Sequence, residues 1–575
     1  MTTEPGSAVA DYLGFELPSK TAPQRARLAA LARGLEGSAE ATSLVSYDST
    51  GLLLIIGAEP SALSVVEDIV GRVTCLILAT GPASLPESAG NGYIKRSVAG
   101  QEVPVLYGMP LQINGYLGSF RVLVQQKNRE IELAKAMNLA SGGIDIILDL
   151  GRNPVIGRER VPPGYFAPAG DSDRLHQALE EIPGLVGQFD KPLYVQYNPD
   201  ICAHGERGIT GCTRCLDVCP AEALSSLVER IEVDPHLCHG VGSCATVCPT
   251  GAIHYRFPNL GHSLDSLRRI IAVFHSQAET SPSILLYEGE YGGPQLAEQV
   301  DTLPADLIPW RIEEAGSTGL ELWLSAIAYG AQSVLIMTTD ETPHSTVSAL
   351  QSQVRLVSIL LDGLELGAER VRLVNLDQLT SISGAPNGGS ARVIEPASYG
   401  GIDEKRVVLR FATEHLATGL ASDIDHITLP PGSPFGSVQV DAQTCTLCMG
   451  CVSVCPAGAL GDDKAKPRLT FVESNCVQCG ICEQACPEDA ISLVPRLLLD
   501  NARRMHHQTL NEEAPFCCID CGKPFTTQSM ITKMEAKLSG HRMFQGDALK
   551  TLQRCEDCRI PVSSAKSVKI EDQMR

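Results

Sequence analysis

The sequence predicts a multidomain protein of mixed α/β and α+β class, on three observations. Its 575 residues exceed what one hydrophobic core usually organises. Two cysteine-rich stretches alternate with two long stretches, nearly free of cysteine, in which strand-like and helix-like patterns follow one another. Two further pairs of cysteines lie close to the C-terminus. We therefore expect two α/β domains, two cysteine-built modules and a small C-terminal domain.

Changes in composition and a proline-rich linker at 430–434 give the boundaries of these units. The predicted units are a helical segment over 1–40, an α/β domain over 41–190, a cysteine module over 191–262, an α/β domain over 263–428, a second cysteine module over 429–500 and a C-terminal domain over 501–575.

Short apolar runs define the two α/β domains. The predicted strands are 52–56, 73–79 and 144–150 in the first domain, and 284–287 and 333–337 in the second. The predicted helices are a stretch ending at Val70 in the first domain, and 320–329 and 347–361 in the second. The turn at 57–61 lacks the three spaced glycines of a dinucleotide-binding loop. The alternation in the second domain predicts a parallel sheet covered by helices.

The 21 cysteines and the net charge of −21 limit the classes of function. The excess of acidic residues argues against binding to nucleic acid or to anionic membrane surfaces. No apolar run reaches the roughly 18 residues of a membrane helix, and we expect neither a secretory signal nor a lipid anchor. We expect a cytoplasmic protein, in which clustered cysteines bind metal. Cys75 alone lies apart from the clusters, and its apolar surroundings predict a buried thiol.

The second module has a complete set of ligands for two iron-sulfur clusters. Its cysteines follow the spacing C-x-x-C-x-x-C-x-x-x-C-P twice, from Cys445 to Pro456 and from Cys476 to Pro487. In this spacing, three thiolates of one run bind one cluster and the fourth binds the other. Zinc sites show paired knuckles instead of such triplets. The predicted ligands of two 4Fe-4S clusters are Cys445, Cys448, Cys451 and Cys486 for one, and Cys476, Cys479, Cys482 and Cys455 for the other.

The first module departs from this pattern at two positions. Ile209 occupies the place of the first cysteine, but Cys202 lies upstream and can supply the thiolate through a longer loop. Val241 occupies the place of a cysteine in the second run, which leaves that cluster three thiolates. The predicted ligands are Cys202, Cys212, Cys215 and Cys248 for a 4Fe-4S cluster, and Cys219, Cys238 and Cys244 for the incomplete cluster.

The incomplete cluster is either a 3Fe-4S cluster or a 4Fe-4S cluster with a ligand other than cysteine, and we favour 3Fe-4S. His204 and His239 are the alternative fourth ligands. A histidine beside a ligand is, however, more often a hydrogen-bonding or solvent-facing neighbour.

All four cysteine runs end in Cys-Pro, with an alanine three residues past the proline. Proline suits the first turn of a helix, so we predict a short helix after each Cys-Pro. Residues 231–233, 438–440 and 469–471 supply strands with alternating apolar positions. The whole arrangement resembles the fold of bacterial dicluster ferredoxins in both modules.

The last cysteines form two C-x-x-C pairs, Cys518 with Cys521 and Cys555 with Cys558. Four thiolates in paired knuckles are typical of a closed tetrahedral zinc site, which stabilises a segment too small to form its own core. We therefore predict a zinc-ribbon-like domain, with a helix over 530–538 between the pairs. A rubredoxin-type iron site or a further iron-sulfur cluster is the alternative, because thiolates alone do not select the metal. Cys517 is a spare or alternative ligand.

Residues 284–373 resemble the delta subunit of methyl-viologen-reducing hydrogenase. The motifs that carry the similarity are Tyr291-Gly-Gly, Trp310-Arg-Ile-Glu-Glu, Gly319-Leu-Glu-Leu and Ala328-Tyr-Gly-Ala. That subunit links redox partners and holds an iron-sulfur cluster on cysteines that are absent here. The resemblance implies a docking domain without the metal.

With its Cys202-Ala-His opening and its Cys521-Gly-Lys-Pro-Phe ending, the chain resembles bacterial multicluster 4Fe-4S ferredoxin-type proteins encoded near molybdenum formate dehydrogenases. The resemblance implies an electron-transfer subunit that connects protein redox partners, such as subunits of a formate dehydrogenase or hydrogenase-type complex. No catalytic residue is then expected. Two alternatives remain, a catalytic oxidoreductase subunit with its own substrate site and a redox-sensing or maturation factor. No flavin, nucleotide or molybdopterin fingerprint favours the first of them.

Overall fold

The structure, a computed structural model, describes most of the chain. The described residues are 5–37, 43–81, 93–126, 129–139, 142–278, 280–379, 392, 394–421, 424–463 and 465–560. Residues 1–4 of the predicted helical segment and 561–575 of the predicted C-terminal domain lie outside them. The fold is mixed α/β, as predicted, and both cysteine modules have a ferredoxin-like dicluster arrangement.

A six-stranded sheet forms the first α/β domain. In spatial order its strands are Tyr165–Phe166, Ile146–Asp149, Leu52–Gly57, Thr74–Ala79, Gln101–Tyr107 and Tyr93–Val98. All neighbours are parallel except the last pair. Leu53 and Ile55 face one core and Leu54 and Ile56 face another, because successive side chains of a strand point to opposite faces. The uninterrupted apolar run therefore reflects a strand that is buried on both sides.

Different elements cover the two faces of this sheet. Helices Glu59–Ile69 and Ser172–Glu181 contribute to one core, and an antiparallel sheet with helix Leu133–Ala136 contributes to the other. The strands of that small sheet are Met109–Asn114, Arg121–Gln126 and Arg129–Glu132. An antiparallel ribbon of Leu44–Ser49 and Gly187–Pro192 leads from this domain into the first cysteine module.

The second α/β domain has the predicted parallel sheet. In spatial order its strands are Leu307–Ile312, Ser283–Glu288, Ser333–Met337 and Val371–Val374. Its helices are Leu260–Gln277, Gly292–Glu298, Leu320–Ala328, His344–Gly363, Leu376–Leu379 and Lys405–Ala417.

The N-terminal helices Pro5–Leu13 and Ala22–Gly34 pack on this second domain, although the first α/β domain follows them in sequence. Ala26 and Ala30 are fully buried in its core. Gly34 has no room for a Cβ, because Ile270 Cγ1 lies 2.3 Å from where that atom would stand. The buried Arg27 donates to the carbonyl oxygens of Pro304 and Leu307, at 3.1 and 3.2 Å. The helical segment is therefore a structural part of the second α/β domain.

The two cysteine modules share one topology. In each, the entering and leaving strands pair antiparallel, and a hairpin lies between them. In the first module these elements are Val195–Tyr197 with Ile253–Tyr255, and Leu224–Leu227 with Arg230–Val233. In the second they are Gly436–Val440 with Ile491–Leu498, and Leu460–Asp462 with Arg468–Phe471. His426–Thr428 adds a further strand to the second module.

The short helices of the modules precede the Cys-Pro pairs, so the predicted helix after each proline is wrong. These helices are Arg214–Asp217, Ser243–Val247, Gly450–Ser453 and Ile481–Gln484. Each carries the cysteine at the third ligand position of its run and ends before the Cys-Pro pair. The physical reason is that proline disfavours helical backbone in the residue before it, so Cys-Pro ends the helix.

The C-terminal segment packs onto the second module. After helix Asn501–Met505, strand Gln508–Glu512 pairs antiparallel with the module strand Arg468–Phe471. A hairpin and a longer helix follow, and their bounds are Pro515–Cys517, Pro524–Thr527 and Gln528–Leu538.

Within the described part of the chain, no helix combines the length and the apolar character that crossing a membrane requires.

Candidate metal centres

The ligand loops of the second module share an unusual backbone. The second and fourth residues after the first cysteine are left-handed in both loops: Leu447 and Met449 have φ of 53° and 58°, and Gln478 and Gly480 have φ of 55° and 83°. Residues other than glycine rarely adopt this conformation. Successive peptide N–H groups in such turns form concavities that bind anions, including iron-sulfur clusters. The loops are therefore shaped to hold a cluster.

The thiols of the second module fall into the two predicted sets. Burial and then the neighbouring thiols of the same set raise the pKa of Cys451 to about 12, and the same causes raise the pKa of Cys482. The first set consists of Cys445, Cys448, Cys451 and Cys486. The second set consists of Cys455, Cys476, Cys479 and Cys482. These two shifts show that the thiols of each set lie close together, and iron bound as in such clusters would hold them as thiolates.

A small hairpin brings Cys202 to the first set of the first module. Gly205–Glu206 pairs with Ile209–Thr210, and the pairing continues because Gly211 donates to the His204 carbonyl and Cys212 donates to the Ala203 carbonyl, at 2.7 and 2.8 Å. The residues between Cys202 and Cys212 therefore form a hairpin that brings the two ends of this segment together. Burial and then three neighbouring thiols raise the pKa of Cys215 to about 12. The thiols of this set are Cys202, Cys212, Cys215 and Cys248.

The two candidate histidine ligands differ in their hydrogen-bond partners. Nδ1 of His204 lies 2.9 Å from the Cys212 carbonyl oxygen and Nε2 lies 2.7 Å from Ser226 Oγ, so both ring nitrogens are hydrogen-bonded. The charged groups that act on His239 are Lys191 and Arg160, and burial first lowers its pKa to about 4. His204 therefore supports the hairpin, whereas His239 Nε2 is buried with no hydrogen-bond partner among the described residues, so His239 stays a candidate fourth ligand.

Val241 lies in a loop with the backbone of a ligand loop. Gly240 and Gly242 have φ of 80° and 83° and match the left-handed pair at Gln478 and Gly480. Val241 is 6% exposed and occupies the position of Cys479 in the second module. The remaining thiols near one another are Cys219, Cys238 and Cys244. The structure thus keeps a cluster loop with three thiols.

The alanine past each Cys-Pro has a role that the sequence analysis missed. At three of the four sites its N–H group donates to the cysteine Sγ four residues earlier, at 3.3 Å; the pairs are Ala223 with Cys219, Ala459 with Cys455 and Ala490 with Cys486. At the fourth site Ala252 donates instead to Thr250 Oγ1, which lies 3.5 Å from Cys248 Sγ. Hydrogen bonds to ligand sulfur tune the reduction potential of iron-sulfur clusters. The alanine that recurs after each Cys-Pro is the sequence signal from which this role could have been predicted.

Lys191 is a second residue that the sequence analysis missed. It belongs to the ribbon of the first α/β domain, and its Nζ donates to the carbonyl oxygens of His236 and Cys238, at 3.0 and 2.7 Å. Nζ also lies 5.0 Å from the centre of the Tyr47 ring. Burial lowers the pKa of Lys191 to about 8, and the groups that oppose this shift are Cys238 and Asp234. A positive charge therefore lies beside the three-thiol set.

Replacing Lys191 with methionine is expected to lower the reduction potential of the three-thiol cluster alone. A single charge in a partly buried site is worth a few kcal/mol at short range, so we expect a fall on the order of 100 mV. Redox titration followed by electron paramagnetic resonance (EPR) measures it. Tyr47→Phe is the control, because Tyr47 donates to the same His236 carbonyl at 2.6 Å without a charge. Equal shifts in both variants would contradict the role of the charge.

The C-terminal thiols converge on one point. The Sγ atoms of Cys518, Cys521, Cys555 and Cys558 all lie within 4.8 Å of one another, and Cys521 and Cys555 are 3.7 Å apart. A tetrahedral ion with metal–sulfur bonds of about 2.3 Å separates its sulfurs by about 3.8 Å. The spacing fits one ion and is too short for a cluster in which each cysteine binds a different iron.

The surroundings of Cys518 favour the thiolate form of its side chain. Burial opposes its ionisation, but the backbone N–H groups of Cys555, Cys521 and Asp520 outweigh burial and lower its pKa to about 6. The thiolate is the form that binds metal. Cys517 is exposed and is not part of the converging set.

Comparisons with known proteins match both cysteine modules. The family model of the 4Fe-4S dicluster domain matches residues 444–491, and the model of the LdpA Fe-S cluster-binding domain matches residues 210–257. The chain is 42% identical over 55 residues to Hydrogenase-4 component A of Escherichia coli (strain K12), which covers 10% of this chain and 24% of that protein. It is 34% identical over 41 residues to Ferredoxin 7Fe of Hydrogenibacillus schlegelii, which covers 7% of this chain and 53% of that protein.

The chain thus spans between a quarter and about half of the length of these curated relatives. The two family models together include every predicted cluster ligand except Cys202. The chain is a multicluster iron-sulfur protein of ferredoxin type.

Proposed function

We propose that the chain is an electron-transfer subunit that relays electrons through about four iron-sulfur clusters between redox protein partners. The observation that carries the proposal is the division of fifteen cysteines into four sets, in each of which burial and then the other thiols of the set raise the pKa of one buried thiol. Three complete sets suit 4Fe-4S clusters, and the set with Val241 suits a 3Fe-4S cluster. The C-terminal thiols would hold zinc as a structural ion.

The relatives support redox partners of the hydrogenase type. One is named as a hydrogenase component and the other as a seven-iron ferredoxin, and the latter name agrees with one three-iron cluster beside a four-iron cluster. The resemblance to formate dehydrogenase-associated proteins adds formate dehydrogenase to the proposed partners. The cytoplasmic location and the absence of nucleic-acid partners stay predictions from the sequence.

Metal analysis of the anaerobically purified chain tests the proposal. We expect about fifteen irons and one zinc per chain, and reduced protein should pass electrons to an artificial acceptor without a substrate of its own. Iron below about eight per chain would remove one dicluster and overturn the four-cluster relay. A variant with Cys476→Ala and Cys479→Ala should lose about four irons, whereas Cys75→Ala, the buried cysteine outside the sets, should lose none.

A cavity of about 480 Å³ favours a second candidate function, a catalytic subunit. It lies between the two modules and the helix Lys405–Ala417, beside both Cys248-Pro and Cys455-Pro, and its polar lining includes His254, Asp403 and Asn475. Ligand sites commonly have volumes of about 300–1,000 Å³. Steady turnover of formate or dihydrogen by the isolated chain, abolished by His254→Ala, would support this candidate over the relay.

A further inference from the structure

The two cysteine modules touch at their ligand loops. Gly211, the residue before Cys212, lies against Ile481, the residue before Cys482: a Cβ on Gly211 would stand 2.5 Å from Ile481 Cγ1. Gln484 Nε2 donates to the Thr210 carbonyl oxygen at 3.3 Å. These contacts join the loop of one set in the first module to the loop of one set in the second.

The short helices that carry ligands contact one another in the same order. Helix Ile481–Gln484 contacts strand Ile209–Thr210 of the first module. Within the second module it contacts helix Gly450–Ser453, and within the first module helix Arg214–Asp217 contacts helix Ser243–Val247. The four cysteine sets therefore follow one another in a fixed order along the molecule.

Two adjacent residues of helix Lys405–Ala417 hold the modules together. Lys405 Nζ donates to the carbonyl oxygens of Ala245 and Thr246 in the first module, at 2.9 and 2.7 Å. Arg406 donates to the carbonyl oxygens of Ser474 and Cys476 in the second module, at 2.9 and 3.2 Å.

Further contacts within the structure hold Lys405 and Arg406 in place. Lys405 is buried and pairs with Glu321 at 3.4 Å, and the Arg406 guanidinium lies 5.2 Å from the centre of the Phe435 ring. One helix end of this domain therefore clamps both modules in a fixed relation.

We propose that the contact between the ligand loops of Cys212 and Cys479 is the electron junction of the molecule, held by the clamp of Lys405 and Arg406, and that it fixes a single order of the four cluster sites. This inference rests on the proposed function. With clusters bound at these cysteines, one electron would pass from the reduced cluster on one side to the oxidised cluster on the other, with no bond formed or broken and no proton transferred. In order, the sites are Cys445/Cys448/Cys451/Cys486, Cys455/Cys476/Cys479/Cys482, Cys202/Cys212/Cys215/Cys248 and Cys219/Cys238/Cys244.

The first and last sites of this order differ in their exposure to solvent. Cys448 of the first site is exposed, whereas Cys244 of the last is 7% exposed and lies beside the first and second α/β domains, since Lys191 and Gly316 approach its loop. A protein redox partner that approaches from solution would therefore exchange electrons at the Cys448 end.

Magnetic coupling between reduced clusters tests the order in the full chain. Dipolar coupling falls with the cube of distance, so each cluster relaxes fastest beside its nearest paramagnetic neighbour. Cys212→Ala with Cys215→Ala removes the predicted neighbour of the second module, and Cys238→Ala with Cys244→Ala removes only the distant cluster. We expect the spin relaxation of the Cys479 cluster to slow several-fold in the first double variant and to stay unchanged in the second. Equal effects, or none in either variant, would overturn the order.

Arg406→Met tests the clamp without removing any ligand. We expect the iron content to stay the same and the relaxation enhancement of the Cys479 cluster to fall at least several-fold. Arg410→Met is the matched control, because Arg410 lies one turn further along the same helix and pairs with Glu414 at 3.7 Å. Unchanged relaxation in Arg406→Met with full iron would overturn the clamp. Low iron in the unmodified chain would instead count against the proposed function itself.

Discussion

Replacing Val241 with cysteine is expected to convert the three-thiol site of the first module into a complete four-thiolate site. The loop around Val241 already has the two left-handed residues of the complete loop in the second module. The side chain of a cysteine at position 241 would therefore point in the same direction as the side chain of Cys479. The exchange of a buried valine for a smaller side chain is tolerated by most cores, so the fold should persist.

The expected readout is a gain of about one iron per chain. EPR spectra of the oxidised protein should lose the signal of a three-iron cluster, and a four-iron signal should appear on reduction. Val195→Cys is the control, because Val195 is a buried valine of the same module that belongs to a strand and not to a ligand loop. Cys479→Val should produce the opposite change in the second module.

Two results would contradict this prediction. If the unmodified chain contains about sixteen irons and lacks a three-iron signal, a ligand other than cysteine completes the site. If Val241→Cys changes neither iron content nor spectrum, the loop does not direct this side chain to a cluster.

The parts of the site that the sequence predicted are those with a local pattern. The spacing from Cys445 to Cys455 determines which thiols one loop can present, because two residues separate each of its first three cysteines from the next. The strand at 52–56 was predictable for a similar reason, since five successive apolar residues indicate burial on both faces. Val241 was recognisable as a gap because the surrounding spacing was kept.

The parts that were missed depend on contacts between distant segments. Nothing in residues 1–40 indicates that Ala26 would pack against a helix more than two hundred residues later. The contact of Gly211 with Ile481 and the hydrogen bonds of Arg406 also join remote positions, which leave no periodicity in the sequence. The helix expected after Cys-Pro is wrong for another reason: proline can begin a helix, but here it follows the residue that ends the preceding one.

Removing two C-terminal ligands is expected to unfold residues 515–560 and to leave both cluster modules intact. This segment has a small core: its buried apolar residues, in the described part, are Ile531 and Leu552 with the thiols of Cys518 and Cys555. Structural zinc contributes about 10–16 kcal/mol of apparent binding free energy in small zinc-dependent peptides. A segment of this kind therefore depends on its metal.

Cys555→Ser with Cys558→Ser is the variant that tests this dependence. We expect loss of the single zinc, rapid hydrogen exchange throughout 515–560 and unchanged iron in the modules. Cys517→Ser is the matched control, because Cys517 lies beside Cys518 but outside the converging set. Slow exchange in the double variant would show that contacts with the second module suffice, and iron in place of zinc in the unmodified chain would identify a rubredoxin-type site.

The position of this segment gives the loss of metal a consequence for electron transfer. Thr527 Oγ1 donates to the Thr446 carbonyl oxygen at 3.0 Å, and Lys533 pairs with Glu488 at 2.6 Å, so the segment covers the loop that begins at Cys445. Unfolding would uncover the cluster site at the solvent-facing end of the proposed order. We therefore expect the zinc-free variant to lose iron from that site first on exposure to air, while Cys517→Ser loses it at the rate of the unmodified chain.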